Sequence, residues 1–411
     1  MRFVKSVLAL AVCFIVCSIL LQSCGKTHRR NIPLAGDTLP VKPSLPNPIM
    51  NVYVENSGSM DGYVKGVTEF EQIVYNYLSD IKISNLSDTL NLNYINSKII
   101  PQGSDISDFI EKLEPTTFRQ RGGNRQTSDI AVVLKSILSE MKENCVSIFV
   151  SDCIFSPGKG KDATRYLVNQ QTGIKVAFAD YLNQHPEFSV MTYRCLSQFS
   201  GTYYDCNDAK TVIDEKRPFY IWVMGHKEYL MKMRTLEKNF KGEGIQNVFL
   251  ASAGNVAIPY ALKMGAGEYK LDKKNPKTAL TKGKLGRNGK FSFAVNMDCS
   301  DLLLDDSYIL DNSHYEMSSK DFEVGVSKAK ASKYTHTLKF TSDRVVSCQL
   351  SVALKMQIPA WAEECNDDNG IGINSNTMNK TFGIKYLIGG VYDAFSFNTD
   401  SYATMNLNIN N

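Results

Sequence analysis

The sequence predicts an α/β fold: a doubly wound, mostly parallel sheet, followed by a β-rich, sandwich-like C-terminal domain. Three observations predict it. From residue 50 to about 240, short apolar runs alternate with stretches whose apolar residues recur every three or four positions, the pattern of strands alternating with amphipathic helices. From about 245 onward, helical periodicity fades, two-residue alternation takes over, and Gly and Asn punctuate the chain. The chain has 411 residues, 43% apolar and 21% charged, which is enough for two or three folded domains and excludes general disorder.

Each element follows from its local pattern. Asn51–Glu55 is a short buried strand. Residues 66–82 place Val67, Phe70, Ile73, Val74, Tyr77 and Leu78 on one helical face. Leu90–Ile95 alternates as a strand, with Lys98–Ile100 positioned to pair with it. Pro115 to Gly123 breaks the helical pattern. Residues 128–143 carry Ile130, Val133, Leu134, Ile137 and Met141 on one face, and Val146–Asp152 is an apolar strand. Residues 162–184 read as helix, Phe188–Cys195 and Phe219–Met224 as strands, and 226–239 as helix. In the second half, Lys290–Met297, Asp321–Val326, His336–Phe340, Val345–Leu354 and Tyr402–Ile409 read as strands.

The N-terminus is a targeting segment. Arg2 and Lys5 precede an apolar run over 7–21, followed by Leu21-Gln22-Ser23-Cys24. This resembles the bacterial lipoprotein signal, in which Cys becomes the first mature residue and carries the acyl chains. The resemblance implies a signal peptide over 1–23, lipidation at Cys24 and a membrane tether through that lipid. Two or more acyl chains hold a protein stably at a membrane. It also implies a cell-envelope location, and Gly25 after the Cys favours the outer membrane, on its periplasmic or surface side. Residues 24–48 contain five prolines and few large apolar residues, a Pro-rich spacer. The folded parts are then 49–242 and 243–411.

Composition excludes several functions. Formal charge is +4, and removing residues 1–23 leaves +2, too near neutral for a nucleic-acid binder that works by neutralising phosphates. Five His and two Trp do not suit a His-rich metal enzyme or a Trp-lined sugar platform. Seven of the ten Cys lie beyond Cys24, an odd number, so at least one thiol is free. Cys145 and Cys153 bracket a strand and are too far apart to pair. Cys195 and Cys206 are spaced to pair across a hairpin. No CxxC is present. Ser327-Lys328-Ala329-Lys330 has the Ser-x-x-Lys spacing of serine acyl-enzymes but no partner motifs, and reads as a solvated stretch. Gly158-Lys159-Gly160-Lys161 lacks P-loop spacing, and Asp367-Asp368-Asn369-Gly370 lacks the distal Glu of a calcium loop.

One constellation carries chemistry. In open sheets with parallel strands, ligands bind beyond the strands' carboxyl ends. Val52-Tyr53-Val54-Glu55-Asn56-Ser57-Gly58-Ser59-Met60 leaves the first strand, Gln126-Thr127-Ser128-Asp129-Ile130 opens a helix, and Ser151-Asp152 ends a central strand. Hydroxyls and carboxylates are hard donors, which suit Mg2+ or Mn2+ rather than Zn2+ or Cu2+. Here the sequence resembles the von Willebrand factor type A domain. Its metal-ion-dependent adhesion site combines Asp-x-Ser-x-Ser, a Thr in a later loop and an Asp ending the central strand. The resemblance implies that Ser57, Ser59 and Thr127 or Ser128 bind the metal directly. It implies that Glu55 and Asp152 act directly or through water, and that a partner's Asp or Glu completes the site. Thr127 matches by identity and Ser128 by spacing. Glu55 replaces the family's Asp with one more methylene, and Cys153 stands where Gly commonly follows. The expected function is a lipid-anchored, extracytoplasmic binding or complex-assembly protein, not an enzyme. The alternatives are a Mg2+-dependent hydrolase, which lacks a His in these loops to activate a Ser, and a metal-free scaffold in which Glu55 fills the ion's place.

Overall fold

The computed structural model describes residues 45–125, 129–240, 244–330 and 333–410, and Pro46–Asn411 form one compact unit. Its first sheet has seven strands: β1 (Ile49–Glu55), β2 (Thr89–Ile95), β3 (Ile99–Gly103), β4 (Cys145–Ser151), β5 (Phe188–Tyr204), β6 (Lys210–His226) and β7 (Ile245–Ser252), in the order β3-β2-β1-β4-β6-β5-β7. β1 runs parallel to β2 and β4, with Val54 opposite Tyr94 on one side and Val150 on the other. The remaining pairings are antiparallel, so the sheet is mixed. The cause is the β5–β6 hairpin. Its strands are 17 residues each and are joined by residues 205–209, and so short a connection forces antiparallel pairing.

The nine helices among the described residues are α1 (Glu69–Ile83), α2 (Ile106–Glu111), α3 (Pro115–Arg119), α4 (Ile130–Glu140), α5 (Ala163–Gln184), α6 (Lys227–Arg234), α7 (Asp306–Ile309), α8 (Ala360–Glu364) and α9 (Ile384–Phe395). Thr68 caps α1, so Val67, counted on that helix's face in the sequence, precedes it and is exposed. α3 occupies the expected break at Pro115, because Pro suits the first helical position and Glu114 caps Thr117 N–H at 3.0 Å. α1 packs on one face of the sheet, where the Phe70 ring lies 5.0 Å from Phe219 and Tyr77 lies 6.3 Å from Tyr193. α4, α5 and α9 cover the other face in a cluster with Tyr53, Phe149, Val190 and Trp222. Helices thus lie on both faces, as a doubly wound sheet requires.

The rest of the chain adds β8 (Tyr260–Leu262), β9 (Lys270–Leu271), β10 (Ala279–Thr281), β11 (Phe291–Met297), β12 (Tyr315–Met317), β13 (Glu323–Lys328), β14 (His336–Ser342), β15 (Cys348–Lys355), β16 (Asn366–Asp367), β17 (Thr381–Phe382) and β18 (Ser401–Asn410). Two sheets, β13-β14-β11-β8 and β12-β15-β18-β10-β9, share a core that includes Phe293, Leu338, Phe340, Val352, Met405 and Leu407. All their pairings are antiparallel except β10 with β18. The first sheet runs past residue 242, since β7 forms its edge, and α9 returns from the β-rich region to its helical layer.

α9 buries Leu387, Ile388, Gly389, Gly390 and Val391 and leaves Lys385, Tyr386, Tyr392 and Asp393 partly exposed; it escaped the reading because its glycines resemble loop punctuation. Those glycines let it approach α5. A Cβ on Gly390 would lie 2.7 Å from the Gln171 carbonyl oxygen and 2.9 Å from Ile174. Gln171 also donates to Asp393 at 2.9 Å across the same contact. The cysteine expectation is corrected. Cys195 faces Phe219 across the hairpin, Cys206 lies beyond the end of the same strand as Cys195, and both thiols are free.

Gly390→Ala should therefore destabilise the protein by about 1–3 kcal/mol in equilibrium urea unfolding, although Ala is favoured over Gly in an open helix by about 1 kcal/mol. A stabilising result would place α9 away from α5.

Candidate functional site

β1 and β4 lie side by side and end together, so their exit loops meet at one rim. Glu55 closes β1 next to Ser151 of β4, and the Ser151 hydroxyl donates to Glu55 Oε2 while accepting from Cys153 N–H at 2.8 Å. Glu55 is 1% exposed, so its carboxylate is turned inward against the strand end. Past Glu55 the chain makes a short 3-10 turn over Gly58–Gly62. Ser57 stands at its cap position but caps nothing with its side chain; its hydroxyl lies 3.0 Å from that of Ser59. That separation is a hydrogen bond between the two hydroxyls.

Asp152 follows β4 and is 2% exposed. Ile154 N–H donates to its Oδ1 at 3.1 Å and the Ser59 hydroxyl bonds its carboxylate, but among the described residues Oδ2 has no hydrogen-bond partner. Burial pushes the Asp152 carboxyl above the usual carboxylate range, against the pull of Ser59, Ile154 N–H and Arg217. A buried carboxylate reached by the Ser59 hydroxyl, which is itself bonded to Ser57, is a set of hard oxygen donors. Ser57, Ser59 and Asp152 therefore fit a hard divalent ion. Glu55 faces Ser151 and stands behind them.

The neighbouring backbone supports this arrangement. Cys153 has φ +55°, the left-handed conformation that Gly adopts freely. Trp222 Nε1–H donates to the Cys153 sulfur at 3.3 Å, and burial pushes that thiol's pKa up. Arg125 carbonyl accepts Gly58 N–H at 3.0 Å, and the Arg125 guanidinium donates to the Asn56 carbonyl at 2.6 Å and pairs with Asp61. These bonds hold the loop that leads to residues 126–128 against the rim. Thr127 and Ser128 lie outside the described residues, as does Cys24. Asp129, next in the chain, caps α4 through the N–H groups of Ala131 and Val132.

The motifs read as incidental behave so. Lys328 pairs with Asp306, and Asp367 accepts the Asn369 N–H at 3.1 Å in a local turn. Among the described residues, no group of three or more His, Cys, Asp or Glu side chains is placed to hold a metal.

The sequence reading missed the roof. The outer half of the β5–β6 hairpin projects over the rim, where Phe199 and Gly201 press on Gly62 and Tyr204 reaches Gly58. Residues 366–383 clamp that hairpin. Cys206 N–H donates to the Gly370 carbonyl at 2.8 Å, Arg194 to Asn379 at 2.7 Å, and Arg217 to Met378 at 2.7 Å. Gly58 and Ser59 remain half-buried, so the site reaches solvent on that side. A cavity of about 370 Å3 between Met231–Glu237 and Cys299–Ile309 is separate from these residues. Compared with known proteins, the chain matches no family model, no curated protein and no solved structure.

The raised pKa of Asp152 sets a pH dependence. A carboxyl whose folded pKa exceeds its unfolded value favours folding below the ordinary Asp range, near 3.9, and loses that contribution as pH rises through the folded value. In chelator, Asp152→Asn should be more stable than wild type at pH 8, with the gap shrinking as pH falls toward about 4. Urea unfolding across that range measures it, and a gap independent of pH would contradict the burial argument.

Proposed function

We propose that this chain is a lipid-anchored binding or assembly protein of the cell envelope that engages an acidic partner through a divalent cation. The observation that supports it is the buried Asp152 carboxylate, reached by the Ser59 hydroxyl and, among the described residues, without a partner on Oδ2, with Ser57 hydrogen-bonded to Ser59 at 3.0 Å. Ser57, Ser59 and Asp152 hold Mg2+ or Mn2+ as a hard-oxygen set, with Thr127 or Ser128 as a further hydroxyl ligand. The bound ion supplies a positive point charge with an open position for a partner's Asp or Glu. Glu55, bonded to Ser151, backs the site without entering the ion's shell. The side of the rim at Gly58 and Ser59 is where that partner arrives.

The convergence of the β1 and β4 exits and the left-handed Cys153 support reading the first part as similar to a von Willebrand type A domain. The long hairpin is this chain's own addition to that plan. The tether is the lipid on Cys24, with the Pro-rich stretch to 48 as spacer, and Gly25 points to the outer membrane. Among the described residues, no helix is long and apolar enough to cross a membrane. The protein works by binding, and no residue is assigned a catalytic role.

Mn2+ titration followed by calorimetry and by Trp222 emission tests this, since Trp222 touches the residue after Asp152. Saturable, EDTA-reversible binding at one site is expected, weakened at least about tenfold by Asp152→Asn or Ser59→Ala. Absence of binding in the wild type would favour the metal-free scaffold, with Arg217 as the standing counter-charge of Asp152.

A further inference from the structure

The β-rich region carries a concentration of positive charge that the whole-chain balance hides. Lys263–Lys290 holds nine Lys and Arg against Glu268 and Asp272, a net +7, whereas the full chain is +4, so the remaining residues sum to −3. The fold gathers this segment at one edge. β8 is the edge strand of the four-stranded sheet, β9 is the edge strand of the five-stranded one, and residues 263–269 join them. The turns around these strands are laced together. Leu262 N–H donates to the Lys277 carbonyl at 2.8 Å and Lys284 N–H to the Glu268 carbonyl at 2.8 Å, and Lys270 of β9 lies opposite Thr281 of β10. Lys290 pairs with Asp343 at 3.5 Å, but Lys263, Lys270, Lys273, Lys274, Lys284 and Arg287 are exposed and form no ion pair among the described residues. Asp272 is turned to its own loop, where its Oδ1 accepts the N–H groups of Lys274 and Asn275 at 2.8 Å each.

Lys on edge strands blocks edge-to-edge pairing of sheets, a role that needs no partner. That role has no use for exposed apolar side chains in the same loops. Yet Met264, next to Lys263, is 76% exposed, and Leu285, next to Lys284, is 48% exposed. Cations interspersed with exposed apolar side chains suit the boundary between water and an anionic lipid layer. The apolar tips enter the headgroup region, and the ammonium groups meet the lipid phosphates. Eight of the nine cations are Lys, a compact point charge suited to a diffuse field, rather than Arg, whose planar fork suits bidentate recognition of one group. We infer that the β8–β9 edge is a contact surface for anionic lipid, which holds the β-rich region against the leaflet to which the chain is tethered. This rests on the envelope tether proposed above. Each Lys or Arg near an anionic surface adds about fivefold in affinity. A lipid anchor keeps the patch at high effective concentration, so these weak contacts act together.

The test reconstitutes the full chain carrying Leu285→Trp with vesicles of phosphatidylcholine, alone or mixed with phosphatidylglycerol. Brominated phosphatidylcholine quenches a tryptophan that enters the lipid, and the wild-type chain, whose Trp222 and Trp361 are buried, supplies the blank. Quenching of the Leu285→Trp chain should rise at least about threefold with phosphatidylglycerol present and fall back in high salt. Adding Lys273→Gln and Lys274→Gln should return it to the phosphatidylcholine level. Adding Lys135→Gln and Lys142→Gln instead, at exposed positions in and just after α4, should leave it unchanged. Equal quenching with and without the anionic lipid, or none with it, would overturn the inference. An emission shift with polyglutamate in solution and none with anionic vesicles would also overturn it, and would make the patch a dock for an acidic macromolecule. Loss of the wild-type chain from phosphatidylcholine vesicles in an alkaline wash would instead remove the tether, and the salt-sensitive quenching on anionic vesicles would still decide the patch.

Discussion

A carboxylate enclosed at the end of a central strand is the constraint around which this molecule is organised. Asp152 is carried out of solvent by β4, and its second oxygen meets no donor among the described residues. Taking a charge out of water costs several kcal/mol unless something nearby compensates. The Ser57–Ser59 turn, the Ile154 amide and the guanidinium of Arg217 all answer that demand. None of them satisfies Oδ2. The strand order places the acid, and the loops around it are shaped by it.

The enclosure explains why the two halves of the chain are interleaved. A sheet with parallel central strands would leave its carboxyl rim open. Here β5 and β6 run on beyond the sheet, and their outer halves pair only with each other. A two-stranded ribbon is marginal by itself in water. Residues 366–383 secure it by accepting from Arg194 and Arg217 through backbone carbonyls. α9 then fixes that segment by burying its apolar face against α5 and the first sheet. The β-rich region thus does more than sit beside the first sheet, since it braces the ribbon that covers the rim.

Much of this was legible because it is local. β1, β4 and α5 announce themselves by apolar runs or by three- and four-residue spacing, and Glu55, Ser57, Ser59 and Asp152 sit in short motifs at strand ends. What escaped depends on distant contacts. Asp214, Glu215 and Lys216 make the outer part of β6 look like a solvated loop, although it is half of a 17-residue strand. Arg217 follows Lys216 in that run, and only carbonyls about 160 residues away give it a buried role. α9 hid because Gly389 and Gly390 sit inside it and read as loop punctuation in a Gly-rich region. An Arg directly before Pro218 and the apolar Phe219–Met224 run was the one available signal, since a lone charge at the head of a core strand needs a partner.

The interleaving also has a temporal meaning. The floor of the rim is complete by residue 152, but the brace for its cover is not synthesised until residues 366–395 exist. A growing chain must therefore carry a formed floor under an unsupported ribbon from residue 226 until residues 366–395 exist, more than a third of its length. Contacts separated by this much sequence are slow to close. The exposed interval is when the ribbon's free edges are open to pairing with other strands. Completion of the C-terminus, rather than of the first sheet, marks the moment at which this protein becomes safe from its neighbours.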